Sequence, residues 1–164
     1  MNIPVLSFVG RSNTGKTTLI ERLIPVLKSK GLRVATIKHH LHDFEIDLEG
    51  KDSYRHKKAG ARLAMIASPK KIALVEDVDG EPGLEEILSR YVRDVDLVIT
   101  EGYKEERVPR IEIYDGRGDL SPLSQGHEGL LALISDTPLE APVPVLRRDE
   151  IQKIAQLIVE RLNL

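Results

Sequence analysis

At 164 residues, with 41% hydrophobic and 4% aromatic content, the chain has the size of one compact domain with a mostly aliphatic core. It contains no cysteine, which excludes disulfides, zinc-thiolate centres and a thiol nucleophile. The net charge of -2 hides an asymmetry: residues 1–71 sum to +8 and residues 72–164 to -10. The basic half suits a polyanionic ligand, although solvated helix faces would give the same count. A basic stripe interleaved with stacking aromatics is missing, which argues against nucleic acid as that ligand. No apolar run approaches the roughly 18 residues of a membrane span, and the chain enters a strand directly after Met-Asn-Ile-Pro. A soluble cytoplasmic protein is the expectation.

The first predicted strand, Ile3 to Val9, runs into Gly10-Arg11-Ser12-Asn13-Thr14-Gly15-Lys16-Thr17-Thr18, and a helix follows over Lys16 to Lys30. Strand, glycine-bounded loop, Lys-Thr and helix form a phosphate-binding P-loop. The glycines let backbone N–H groups converge on phosphate oxygens, and the helix presents its positive end to the same anion. Lys16 is suited to the β- and γ-phosphates and Thr17 to a magnesium ion bridging them. Thr18 supports the helix start, and Leu19, Leu23, Ile24 and Leu27 supply the apolar face of the helix.

Gly31 stops this helix, and Leu32 to Lys38 reads as a second strand. The polar segment after it, Lys38-His39-His40-Leu41-His42-Asp43-Phe44-Glu45-Ile46-Asp47, is the least generic part of the sequence. Its position suits a loop facing phosphates or a second substrate, in which Asp47 orients a water or a substrate hydroxyl. Its histidines and aspartates also permit a transition-metal site, or simply a polar loop. A short helix, Asp52 to Ala59, capped by Asp52 or Ser53, carries Arg55, which with Lys51 is a candidate anion clamp. Arg62 to Ala67 and Lys71 to Val75 are separated too briefly for a crossover helix and are therefore antiparallel neighbours.

Leu84 to Tyr91 is predicted as a helix and Asp96 to Thr100 as a buried strand. Glu101-Gly102 at the carboxyl end of that strand lies where open α/β sheets bind ligands, which makes Glu101 a Walker-B-like partner for magnesium. Asp96, at the other end of the strand, is left out of the site. Arg110 to Tyr114 and Leu130 to Ser135 complete the predicted strands, separated by a loop from Asp115 to Gly129. Asp136, directly after the last strand, can accept from guanine N1 and the 2-amino group, or simply start the turn before Pro138. Pro138, Pro142 and Pro144 mark an irregular connection, and Asp149 is the expected cap of a final helix bearing Ile151, Ile154, Ala155, Ile158 and Leu162. The alternation describes one P-loop NTPase domain over residues 1–164: a mostly parallel sheet with helices on both faces, extended by an antiparallel pair of strands.

Taken together, G-R-S-N-T-G-K-T-T-L, K-H-H-L-H-D-F-E-I-D, G-K-D-S-Y-R-H and D-L-V-I-T-E-G-Y-K resemble the segments of the molybdopterin-guanine dinucleotide biosynthesis adaptor family, MobB. The resemblance implies a homodimeric GTP-binding protein with at most weak GTP hydrolysis. It would assist the guanylyltransferase that joins GMP to molybdopterin, and molybdopterin or the molybdenum cofactor would be a further partner. It implies Gly10, Asn13, Thr14, Gly15, Lys16, Thr17 and Thr18 as the phosphate and Mg2+ site and Glu101 with Gly102 as the Walker B site. Two other readings share the P-loop. A small-molecule kinase would use Asp47 as base and Arg55 as clamp, although its lid around Arg107 to Arg117 is sparse in arginine. A GTPase metallochaperone would use His39, His40 and His42.

Overall fold

The computed structural model describes residues 3–40, 42–116 and 121–164. It divides into two compact units, Met1–His39 with Tyr91–Leu164, and His40–Arg90. In the first unit β1 (Val5–Val9), β2 (Val34–Lys38), β5 (Leu97–Glu101), β6 (Arg110–Ile113), β7 (Leu130–Ile134) and β8 (Val145–Leu146) form one sheet. Its order is β2-β5-β1-β6-β7-β8, and every pairing is parallel. β1 and β5 read as nearly unbroken apolar runs because strands in the middle of such a sheet are covered on both faces.

Helices α1 (Lys16–Ser29) and α4 (Ile151–Leu162) pack on each other and on one face of the sheet. Leu19, Leu23 and Leu27 recur every fourth residue on α1, and Ile151, Ile154, Ala155 and Ile158 form the matching stripe on α4. Both meet Leu6, Phe8, Leu97, Ile99, Ile111, Ile113, Ala132 and Ile134, the alternate residues of the four central strands. The opposite face carries a buried polar layer of Ser7, Thr100, Arg110 and Glu112. Glu112 accepts from the N–H groups of Leu123 and Ser124, both at 2.7 Å. Arg110 donates to the carbonyls of Lys104, at 2.8 Å, and Glu106. These two side chains anchor the loops after β5 and β6.

The second unit contains α2 (Asp52–Lys58), the antiparallel pair β3 (Leu63–Ala67) and β4 (Ile72–Glu76), and most of α3 (Leu84–Tyr91). Lys57 secures its turn by donating to the carbonyls of Ala61 and Arg62 and pairing with Asp77 at 2.6 Å. Several apolar side chains of this unit remain exposed, among them Met65 at 54%, Ile66 at 52% and Ile72 at 69%.

Three local expectations are corrected. Lys51, in extended conformation, occupies the N-cap of α2, so Asp52 lies inside the first turn, where its charge meets the positive helix end. Glu150 rather than Asp149 occupies the N-cap of α4; Asp149 lies one residue further out and pairs with Arg147 at 3.2 Å. The connection after Pro144 contains the two-residue strand β8, whose pairing with Leu133 and Ile134 is set by the neighbouring strand and not by any pattern of its own.

Asp96 sits at the amino end of β5, where Arg33 reaches it with side-chain contacts of 2.9 and 3.0 Å and a backbone N–H at 2.8 Å. These bonds hold the Asp96 carboxyl down at about 2, against 3.8 for the free group. A depressed folded value means that the ionised form is favoured in the native state, so this contribution is complete above pH 3.8 and lost as pH falls toward about 2. Urea unfolding across this window is expected to show a smaller loss of stability with acid for Asp96→Asn than for the parent chain. Equal pH slopes in the two proteins would refute that assignment.

Candidate functional site

The P-loop takes its shape from three residues with positive φ: Gly10 at 147°, Asn13 at 61° and Gly15 at 84°. Only glycine fits at position 10, because an added Cβ would stand 2.5 Å from the Ile113 carbonyl oxygen. Thr14 is buried and donates to the Arg11 carbonyl at 3.0 Å, closing the loop on itself. Gly15 is the N-cap of α1 and brings no side-chain cap, and the first turn holds no acidic residue. A 14-residue helix therefore begins with its N–H groups and positive end turned to the loop, as an anion site requires.

Lys16 folds over this loop and donates to the carbonyls of Gly10 at 3.2 Å and Arg11 at 2.8 Å. Thr17, one residue on, donates to the Glu101 carboxylate at 2.9 and 3.1 Å. This contact joins the P-loop to the Walker-B-like strand. It exists because β5 pairs with β1, setting Glu101 beside Phe8. β2 pairs with β5 on its other edge, with Lys38 level with Glu101, and their side chains form an ion pair at 3.6 Å. Burial pushes the Lys16 ammonium below its ordinary value, Glu101 opposes that shift, and Lys104 and Lys38 reinforce it. Lys16 thus feels the repulsion of Lys38 and Lys104, which a bound polyanion would relieve.

Gly102 adopts φ 107°, and a Cβ there would approach the Cβ of His39 to 3.1 Å. Ser7 donates to the Gly102 carbonyl at 2.7 Å, and His39 stacks on the mostly buried Tyr103 at 4.6 Å between ring centres. The residues present suit a magnesium triphosphate. The glycine-lined loop has the conformation that admits phosphate, and the Thr17 hydroxyl and Glu101 carboxylate are hard oxygen donors already within reach of each other.

Gly10, Asn13, Thr14, Gly15, Lys16, Thr17, Thr18, Glu101 and Gly102 therefore gather at one end of the first unit's sheet. Asp136 follows β7 in the same unit, where Arg148 gives it a backbone N–H at 3.1 Å and an ion pair at 3.3 Å, leaving its side chain 46% exposed. Asp47 belongs to the second unit, where it accepts from the N–H of Leu48 at 2.8 Å. Among the described residues no group of three or more His, Cys, Asp or Glu side chains could hold a metal ion. Leu41 of the histidine segment and Arg117 of the sparse lid lie outside the described residues. Sequence reasoning missed Ser7, Tyr103 and the pairing of Lys38 with Glu101. Only the adjacency of β2 and β5 makes that last pair visible.

Residues 5–136 match the family model described as molybdopterin guanine dinucleotide synthesis protein B, MobB. The chain is 37% identical over 162 residues to the molybdopterin-guanine dinucleotide biosynthesis adapter protein of Escherichia coli (strain K12), covering 96% of this chain and 93% of that one. It is 37% identical over 163 residues to the Haemophilus influenzae protein of the same description, covering 98% and 90%. A crystal structure of molybdopterin-guanine biosynthesis protein B matches with a TM-score of 0.78 at 36% identity, over 96% of this chain and 99% of that one. The MobB homolog from Bacillus stearothermophilus matches with a TM-score of 0.72 at 25% identity, over 97% of each chain. With these relatives aligned along nearly their whole length and a P-loop NTPase sheet beneath the site, the chain belongs to the MobB family of molybdopterin-guanine dinucleotide biosynthesis adapter proteins.

Proposed function

We propose that this protein is a cytoplasmic GTP-binding adapter that assists the joining of GMP to molybdopterin, acting beside a molybdopterin guanylyltransferase and hydrolysing GTP slowly. The observation that carries the nucleotide half of this reading is the Thr17–Glu101 contact at the mouth of the P-loop. In this reading Gly10, Asn13, Thr14, Gly15 and Thr18 surround the phosphates and Lys16 neutralises the β- and γ-oxygens. Thr17 and Glu101 hold Mg2+, which when bound supplies charge neutralisation across the phosphates. Gly102 leaves room beside Glu101, and Asp136, oriented by Arg148, reads the guanine edge. Asp47 is the candidate for orienting a water or hydroxyl. Slow turnover follows from the local set of Lys16, Thr17, Lys38 and Glu101: its one carboxylate is committed to Thr17 and Lys38 and is a poor activator of water.

The reading includes a homodimer, supported by the character of the second unit. An isolated two-stranded sheet is marginal in water, and exposed apolar side chains on both strands, including Met65, Ile66 and Ile72, are what an interface covers. Joining two copies through this hairpin also satisfies strand edges that would otherwise promote aggregation.

Isothermal titration in magnesium is expected to show GTP binding more tightly than ATP. Lys16→Ala should weaken GTP on the order of 100-fold, the equivalent of ~3 kcal/mol for a lost contact to a charged group. Unchanged GTP affinity in Lys16→Ala would remove the basis of the proposal. Glu101→Gln should keep measurable GTP binding while flattening its dependence on magnesium, which a magnesium series would check. For the dimer, Ile72→Lys is expected to convert the protein to monomer in sedimentation velocity with its far-ultraviolet dichroism retained. A parent chain that already sediments as monomer would refute the dimer and leave the nucleotide site standing.

A further inference from the structure

β5 and β6 flank β1 in the sheet, parallel to it, and residues 102–109 connect them without a helix. A crossover between parallel strands is usually about a dozen residues or longer and helical, so that its backbone groups satisfy one another. This one is shorter and irregular. Its turn is closed by a long bond, from the Glu106 N–H to the Tyr103 carbonyl at 3.4 Å. Arg110, the first residue of β6, adds the order that a helix would have supplied. Its side chain is 4% exposed and stands in one row with Ser7 of β1 and Thr100 of β5. From there it reaches back to donate to the carbonyls of Lys104, at 2.8 Å, and Glu106. Burying a guanidinium is costly, and its Nε carries no hydrogen bond. The two carbonyl bonds are what that cost secures.

A second anchor lies one residue before Lys104. Tyr103 takes φ 50°, which an L side chain rarely adopts, and its mostly buried ring stacks on His39 at 4.6 Å between ring centres. Gly102, before it, is tied to β1 by the Phe8 carbonyl and the Ser7 hydroxyl. The backbone on both sides of Lys104 is thus fixed, while the Lys104 side chain stays exposed. Its charge bears on Lys16, the lysine of the P-loop.

We propose that Arg110 is a positioning residue of the nucleotide site, fixing residues 103–106 so that the Lys104 ammonium meets the terminal phosphate of a bound nucleoside triphosphate. Thr17 and Glu101 are suited to the magnesium ion that bridges the last two phosphates, and Lys104 stands three residues beyond Glu101. Lys16 is folded over the P-loop carbonyls and Lys38 is paired with Glu101, so Lys104 is the cation of this group poised for the outer oxygens. A cation held in place before binding gives up little freedom when the phosphate arrives. The proposal rests on the reading that the P-loop holds GTP, and it names the residues that tell GTP from GDP there.

The test is calorimetry of the full chain in magnesium, with GTP and GDP titrated separately. Lys104→Gln is expected to weaken GTP about tenfold, the effect of losing a bond to a charged group, and to change GDP by less than about twofold. Lys104→Arg should recover most of the GTP affinity. Arg110→Met keeps the bulk of the side chain and removes both carbonyl bonds; it should lower the preference for GTP over GDP about fivefold, and Arg110→Lys should lower it less. In the Lys104→Gln background Arg110→Met should leave that preference where it is, because the two residues act as one unit. If Arg110→Met does not fold, Arg110→Lys in the two backgrounds decides the same point. A merely structural Arg110 would lower the melting temperature and leave the preference for GTP alone, and that result overturns the positioning role. Equal loss of GTP and GDP in Lys104→Gln, or loss of neither, overturns the proposal at its centre. Failure of the nucleotide reading shows separately, as GTP binding insensitive to Lys16→Ala, and takes this proposal with it.

Discussion

The parallel pairing of β5 with β1 is the constraint on which the site depends. It sets Phe8 opposite Glu101, with the Gly102 N–H donating to the Phe8 carbonyl at 3.2 Å and Ser7 donating back to Gly102 at 2.7 Å. Two segments more than eighty residues apart in sequence are thereby locked together where the P-loop leaves its strand. Thr17 reaches Glu101 because α1 starts immediately after the loop, and Lys38 reaches it because β2 extends the same register on the far edge of β5. Shifting β5 by one residue would reverse the faces of Thr100 and Glu101 and separate these groups. Core packing of Leu6, Phe8, Leu97 and Ile99 against α1 and α4 fixes that register, so the aliphatic interior determines the charge arrangement at its edge.

The two faces of the sheet do different work. The face under α1 and α4 is apolar and close-packed, whereas the other buries Ser7, Thr100, Arg110 and Glu112. A buried charge is tolerated when its hydrogen bonds are made, and those of Glu112 and of the two Arg110 Nη groups go to backbone groups of the loops that follow β5 and β6, while Arg110 Nε is left without a partner. Such bonds hold irregular segments without needing the segments to be apolar, so these loops can carry polar side chains toward a ligand. The family's adapter role calls for surfaces of this kind, rigid in the backbone and varied in chemistry.

The second unit follows another logic. Its strand pair buries little, and Lys57, Arg62 and Arg90 secure it through backbone carbonyls and ion pairs. Surface ion pairs contribute only about 0–1 kcal/mol each, which is a weak substitute for a core. Side chains such as Phe44, Ile46 and Ile72 accordingly remain exposed.

The P-loop and the strand ending in Glu101 were legible from the sequence because their chemistry is local. Glycine spacing, Lys-Thr and an apolar strand before them specify a phosphate cradle, and an unbroken apolar run ending in an acid specifies a central strand with a carboxylate at its end. The antiparallel pair was equally legible, since Ser68-Pro69-Lys70 leaves no length for a crossover. The short strand β8, the Lys38–Glu101 pair and the commitment of Asp136 to Arg148 were not. Each depends on which strands become neighbours and which loops meet above them, and residues far apart in the chain acquire that relation only when the parallel sheet closes over its core. By itself, the sequence determined the phosphate-binding chemistry. The tertiary structure decided which charges surround that phosphate site, because strand order in a parallel sheet is set by long-range packing and leaves no local signature.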